Sequence, residues 1–531
     1  MRFLDPEFFV RNAMRDNVTA AVYSANGFKP FLTDFASGFV SLAKKDKHYK
    51  DWLNGGGAQA TLVSMDRQYL RENLQKLMDS ADMYTTVKNV VRSPLEILRA
   101  ATEFAENATR IGEFKRAMKD GPQTKEAMQE AAFQSREITL DFARRGAATK
   151  SMNMLAAFLN ARVQGYDRMV RAMVNNPVRT NSRAAMFITT PSILLWMHNN
   201  STEERRELYR AVPEWQKNLF WVVINDDGEH VRIPKPFELG VLYGSVPERL
   251  LDAWAGNRKI EDLPHDLVKA VGLDPYSLAS SIMPTFAQPV LEQMNNYSFF
   301  RNRPLEPGSM SDPRTAPRAQ DRYTLYTSET AKKISDLFGG AGIPVLENMS
   351  PIEVENYIGQ WTGGLGRKFN ELILEPTGKA LGVLPEQNLP AKTLADIPFV
   401  KGFVIRHPDR NNQQAIDFYR RSDEAMEWVN SYKKREREGD LDRIKELMNA
   451  EGGKAKVFAT IEDDIRDIRE DMSEMSATIG EIYKHPTMDK TEKRVNIDNM
   501  LIMMHQLAIM GNEMLDKAEK ARKAWESTVG K

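Results

Sequence analysis

Glu103, Glu106, Arg110 and Glu113 are three or four positions apart in a stretch of helical pattern, so they occupy neighbouring faces of one helix. Paired carboxylates carry out glycoside hydrolysis, one as acid and the other as base or nucleophile; on that reading Glu103 or Glu106 would serve a cell-wall lytic enzyme. A solvated charged helix face has the same spacing, and no groove-forming segment accompanies this one. The histidines, His48, His198, His230, His265, His407, His485 and His505, are dispersed without a His-x-x-x-His or His-x-x-Glu-His pattern, so no metal site is expected. No Gly-x-Ser-x-Gly elbow is present for a serine nucleophile. Gly363-Gly364-Leu365-Gly366-Arg367-Lys368 departs from the phosphate-loop spacing, and its glycines are expected to allow close helix packing and a tight turn between short helices. The chain is therefore expected to be non-enzymatic, with no catalytic residue, cofactor or metal assigned.

Elements able to position any such group must be drawn from a chain of 531 residues, long enough for two to four folding units. Lys+Arg and Asp+Glu both total 73, so no global field favours nucleic acid or anionic lipid, and any such contact must be local. The absence of cysteine removes disulfides, zinc knuckles and thiol nucleophiles together. The opening MRFLDPEFFVRN mixes acids and bases and lacks the apolar run of a signal peptide. Ala184 to Met197 is the longest apolar run, too short to span a bilayer at the roughly 20 residues required, and is expected to be a buried core helix. The 27 methionines suit adaptable contact surfaces.

The fold expected is mainly α: a multi-helix assembly with one small β-hairpin, a long irregular Pro/Arg-rich arm and a C-terminal helical hairpin. Residues 1–150 read as an N-terminal helical domain, in which Ser93-Pro94 opens a helix running through Met118. Residues 151–294 form a central helical domain, with a helix from Ser151 to Asn175 and a hairpin of Phe220–Ile224 and Glu229–Ile233 about the turn Asn225-Asp226-Asp227-Gly228. Residues 295–327 are crowded with Pro, Arg, Asn and Ser and read as an extended surface arm. Residues 328–408 hold short helices, and 409–531 long charged ones: Gln413 to Glu438, a short one near Leu441 to Met448, and a pair around Val457–Tyr483 and Lys490–Trp525 bent at His485-Pro486. In that pair Ile461, Ile465, Ile468 and Met472 are expected to face Ile497, Met500, Leu501 and Met504.

Two groups of residues have interaction chemistry. Trp215, Phe220 and Trp221, with Phe237 and Tyr243 close behind, suit either a satellite core or an interface hot spot, and Trp361 is a further exposed-contact candidate. Arg301, Arg303, Arg314, Arg318 and Arg322 lie in the arm with few acids among them. They are equipped to track nucleic-acid phosphates or to clamp a neighbouring subunit's carboxylates, and both readings stand.

The order of several blocks carries a resemblance: DPEFFVRNAMRDNVTAAV, ATRIGEFKRA, REITLDFARRG, FLNARVQGYDRMVRA, NNPVRT, TTPSILLW, WQKNLFWVV, IPKPFELGVLYG, PERL, YTSETAKKI and YIGQWTGGLGR. From Asp5 to Arg367 the chain resembles the large polyvalent protein-associated domain family of tailed-bacteriophage and prophage proteins. The resemblance implies an internal or ejection-type virion protein that assembles with itself or with other virion proteins and assists DNA delivery into the host. Its location would then be the virion, and afterwards the host envelope or cytoplasm. It also leaves open contact with DNA through the arginine-rich arm, and a membrane-active channel formed after ejection in which Ala184 to Met197 and the aromatic hairpin insert.

Overall fold

The computed structural model describes residues 6–58, 94–119, 121–139, 159–226, 229–257, 264, 268, 287–299, 303–311, 314, 316–325, 327–397, 400–439 and 454–529. It is mainly α, as expected. In chain order the principal helices are α1 (Pro6–Tyr23), α2 (Asp34–Lys44), α3 (Lys47–Asn54), α4 (Pro94–Met118), α5 (Lys125–Glu137), α6 (Leu159–Asn175), α7 (Pro177–Ala184), α8 (Thr190–Asn199), α9 (Glu203–Ala211) and α10 (Glu214–Leu219). After strands β1 (Phe220–Val223) and β2 (Glu229–Pro234) come α11 (Phe237–Gly240), α12 (Val246–Trp254) and α13 (Gln288–Met294). Strands β3 (Tyr297–Ser298) and β4 (Arg303–Pro304) precede α14 (Glu329–Phe338), α15 (Pro351–Phe369) and α16 (Glu375–Ala380). Strand β5 (Val404–Arg406) leads into α17 (Gln413–Glu438), α18 (Lys454–Ala459), α19 (Glu462–Lys484) and α20 (Lys490–Val529).

Local chemistry explains many of these boundaries. Asp46, Thr124, Thr202, Ser328 and Asn412 each accept a hydrogen bond from a backbone N–H one turn into the helix they precede, satisfying donors that the helix itself leaves open. Ser350 and Glu353 form a reciprocal capping box with Pro351 at the first helical position of α15. At the other end of α17, Gly439 takes φ 68°, a left-handed stop that costs glycine little.

The chain divides into two compact units. The first comprises 1–197, 218–221 and 233–385, and the second 198–217, 222–232 and 386–531.

In the first unit α4 packs on α1, α2 and α5. The crossing with α2 is unusually close: a Cβ on Gly38 would lie 2.0 Å from the Ala108 carbonyl oxygen, and one on Gly112 would lie 2.4 Å from that of Asp34. Beside it Tyr49, Trp52, Ile111, Phe114 and Ala132 form one core, in which Trp52 Nε1 donates to Ser135 Oγ at 3.0 Å. A second core gathers Val18, Val22, Ala184, Ile188, Trp221 and Leu239. Helices α7 and α8 are joined by a π-helical turn, Ala185–Thr189, and α11 and α12 by another, Val241–Ser245.

In the second unit α17, α19 and α20 pack together with α18. Of the residues expected to face one another in the helical hairpin, Ile465, Met472, Ile497, Leu501 and Met504 are buried, whereas Ile461, Ile468 and Met500 are only partly covered and Ile461 precedes α19.

Several expectations are corrected. The sheet has a third strand: its order is β1-β2-β5, with β5 antiparallel to β2 in the register His230↔Ile405. Three residues of β5 are too few to register as a strand pattern in the sequence, and pairing with β2 creates it. Residues 363–366 form no turn; α15 continues through them to Phe369. The Pro/Arg-rich stretch is not simply extended, because β3 and β4 pair as Tyr297↔Pro304 and Ser298↔Arg303. It is seated by the fully buried Glu292, whose carboxylate accepts from Phe299 N–H (3.0 Å), Asn356 (3.1 Å) and Gln360 (2.8 Å). The run from Ala184 to Met197 is helical, but only one side is covered: Ala184, Ile188, Ser192 and Trp196 are buried, whereas Met186 is 68 %, Leu194 61 % and Met197 57 % exposed. Among the described residues no helix is long and apolar enough to cross a membrane. The expected short helix at Leu441 to Met448, and the part of the Ser151–Asn175 helix before Leu159, lie outside the described residues.

Candidate functional site: a buried lysine–glutamate network

A buried polar network in the first unit lies where these two π-helical turns, Ala185–Thr189 and Val241–Ser245, meet. Thr189 Oγ1 donates to the Tyr243 carbonyl at 2.7 Å, tying one turn to the other. Gly244 permits the approach, since a Cβ there would stand 2.9 Å from Ser192 Oγ. π-turns widen a helix by one residue and occur often at functional sites. Here they bring Ser192 of α8, Ser245 of the second π-turn and Glu248 of α12 to Lys235, which follows β2.

Lys235 Nζ donates to Glu248 Oε2 at 2.7 Å and to Ser245 Oγ at 3.2 Å, and the Lys235 side chain is 1 % exposed. Ser245 Oγ in turn donates to the Asn218 carbonyl at 2.9 Å. Trp221 Nε1 donates to Ser192 Oγ at 2.7 Å, and Ser192 hydrogen-bonds the Glu248 carboxylate. Burial pushes the Glu248 carboxyl above its ordinary range, and the Lys235 ammonium and the Ser192 hydroxyl pull it back.

Chemically this arrangement fixes structure. A serine–lysine dyad needs the hydroxyl proton directed at a neutral amine; here the amine donates to the hydroxyl, and the hydroxyl proton goes to a carbonyl. Each polar atom named holds another element in place: β2, α8, α10 and α12 meet on one ion pair.

The described carboxylates of α4, Glu106 and Glu113, are likewise occupied. Glu113 is fully buried and accepts from Ser24 Oγ at 2.9 and 2.8 Å and from Asn26 Nδ2 at 3.0 Å. Burial raises its carboxyl, and those hydrogen bonds oppose the rise. Ser24 Oγ also accepts from the backbone N–H groups of Asn26 and Phe28, so Glu113 fastens the turn after α1. Glu106 pairs with the buried Arg110 at 2.6 Å. The side chain of Glu103 lies outside the described residues. The sequence reading missed Asp16 of α1, whose carboxyl is pushed up to about 7 by burial and by Glu106, against the pull of Arg168, Arg110 and Arg15. Nothing local in the sequence marks Asp16, because its carboxylate neighbour comes from another helix.

The interaction candidates separate. Phe220 and Trp221 are buried, whereas Trp215 is 54 % exposed on α10. Trp361 is 55 % exposed, with Tyr357 edge-on at 4.8 Å between ring centroids. Arg303 lies in β4, Arg314 is exposed, and Arg318 is exposed and paired with Asp321 at 2.8 Å. Arg322 pairs with the buried Glu306 at 3.4 Å. Arg301 lies outside the described residues. Among the described residues, Arg318 and Arg322 are thus engaged by separate carboxylates. Among the described residues no group of three His, Cys, Asp or Glu is placed to hold a metal ion. Yet His230, His407 and His505, dispersed in the sequence, come together in the second unit.

No curated protein and no solved structure matches the chain. Residues 206–400 match the family described as large polyvalent protein associated domain 38. That span includes Asn218, Trp221, Lys235, Ser245 and Glu248 of the buried network. Over these residues the chain is similar to the large polyvalent protein associated domain family.

Proposed function

We propose that this chain is a non-enzymatic bacteriophage virion protein of the internal or ejection type, which assembles with itself or with other virion proteins and assists DNA delivery into the host. The observation that carries this reading is the division of labour along 184–199. One side of α7, the π-turn and α8 is buried in a core held by the Trp221–Ser192–Glu248–Lys235 network. The other side turns Met186, Leu194 and Met197 outward. Outward methionine and leucine on a rigidly anchored helix suit contact with another polypeptide. The buried carboxylates Glu113, Glu248 and Glu292 are engaged by internal partners, which is consistent with packing as their role. The family resemblance, with its setting in phage proteins, supplies the biological context.

The test is direct. Mass spectrometry of purified particles should find the chain in the virion, and light scattering should find it larger than a monomer or bound to another virion protein. A monodisperse monomer absent from particles would sink this reading.

The same outward face supports a second reading, a membrane-active component after ejection. Dye release from vesicles of bacterial lipid would favour it, provided Leu194→Glu abolishes the release.

A further inference from the structure

Three imidazoles from distant parts of the sequence meet in the second unit. His230, 1 % exposed, lies in β2 opposite Ile405. His407 directly follows β5, and His505 lies on α20. The rings of His230 and His407 are stacked at 6.1 Å and 30°, and those of His407 and His505 meet edge-on at 5.5 Å and 88°. His407 is therefore the middle member.

Hydrogen bonds set the proton positions of the outer rings. Asn225 N–H donates to His230 Nδ1 at 3.3 Å, so that nitrogen carries no proton while the bond stands. His505 Nδ1 lies 3.2 Å from Asn412 Oδ1, which already accepts from Ala415 N–H at 2.9 Å; the imidazole must be the donor. The recess beside the rings, about 10 Å³, is walled by Leu208, Val212, Pro213 and Ile405 together with Arg406, Asp409 and Asn412, and has room for about one water beside a cation.

Several charged groups on the surrounding elements have other engagements. On β2, Glu229 accepts from Leu394 N–H, and Arg232 donates to the Gly402 and Lys401 carbonyls and to Gln216. Arg406, the last residue of β5, pairs with Asp498 of α20. On α17, Asp417 accepts from Gln413 and Arg420. Helix α9 brings Glu207 and Arg210, and the segment after β5 brings Arg410. Asp409 is the carboxylate that lines the recess; it accepts from Asn411 N–H, and burial raises it towards its neutral form.

We propose that the His230–His407–His505 stack is an acid-sensitive latch: neutral rings hold β2, the segment after β5 and α20 together, and protonation at His407 drives them apart and loosens the second unit. Burial, then His505 and His230, lower the His407 imidazole from 6.5 to about 4, and burial lowers His505 too. A base whose pKa is depressed on folding binds fewer protons folded than unfolded. Stability is therefore full above about 6.5 and falls as the pH drops towards about 4. Protonating His230 Nδ1 would also break its bond from Asn225, next to the hairpin turn.

The experiment is hydrogen exchange on the full chain between pH 7 and pH 4, corrected for intrinsic exchange, read at the amides of β5 and of α20 around residue 505. The opening equilibrium of the wild type should rise on the order of a hundredfold over that range, and His407→Phe should remove most of the rise. An unchanged pH curve in that variant would overturn the latch. Should His407→Phe fail to fold, NMR titration of the histidine rings in the wild type decides. His407 protonating far below 6.5 supports the latch, and titration at its ordinary value refutes it.

Discussion

Lys235 donates to Glu248 across 2.7 Å in the interior of the first unit, with the two side chains 1 % and 8 % exposed. Desolvating two charges is costly, and their attraction offsets that cost only while both are present. Lys235→Met or Glu248→Leu alone should each lower stability by about 3–5 kcal/mol, because the remaining polar group is stranded. The double variant should lose much less than the sum. Urea unfolding of the four proteins measures the coupling, and strict additivity would show that the two residues act independently.

The crossing of α2 and α4 depends on Gly38 and Gly112. An alanine normally favours a helix over glycine by about 1 kcal/mol, but here the added methyl meets backbone oxygens at 2.0 and 2.4 Å, which cannot rotate away. Gly38→Ala or Gly112→Ala should therefore destabilise, by roughly 1–3 kcal/mol or more. A raised thermal midpoint in either variant would mean that the helices have room to separate.

Asp16 gives the first unit a pH response of opposite sign to that of the histidine stack. Its carboxyl is raised from 3.8 to about 7 on folding, so the folded chain holds the proton where the unfolded chain releases it. Its contribution is complete below about 3.8 and is lost as the pH rises through about 7. The size is roughly 1–4 kcal/mol, since the largely buried side chain keeps some access to water, which screens part of the effect. Asp16→Asn should flatten unfolding free energy against pH in this window. A curve identical to that of the wild type would place the proton elsewhere.

Leu194 and Met197 point away from the core, so replacing both with glutamate should leave the circular dichroism spectrum and the melting temperature nearly unchanged. Self-association or capture by virion proteins should fall at least tenfold. Undiminished association would move the contact surface to another face.

Much of the helical framework was legible because its signals are local. Ser93-Pro94 and Gly121-Pro122 bracket a helix observed as Pro94–Met118, Gln413–Glu438 is seen as read, and the aromatic hairpin appears within a residue of its expected ends. The site was less legible. Trp221 reads as core or, less readily, as interface until Ser192 is found 2.7 Å from its indole nitrogen. The carboxylates of α4 resemble catalytic residues until Ser24 and Asn26 are found on Glu113.

Periodicity, capping residues and turn chemistry along the chain thus determined that this protein is a set of helices with one hairpin. Tertiary structure alone decided that Ala184–Met197 is covered on one side only, that Val404–Arg406 is a strand, that Lys235 meets Glu248, and that three scattered histidines touch. The physical reason is range: a helix is specified by neighbours three and four residues apart, whereas burial, ion pairing and the protonation of Asp16 or His407 are set by groups that only the folded chain brings near.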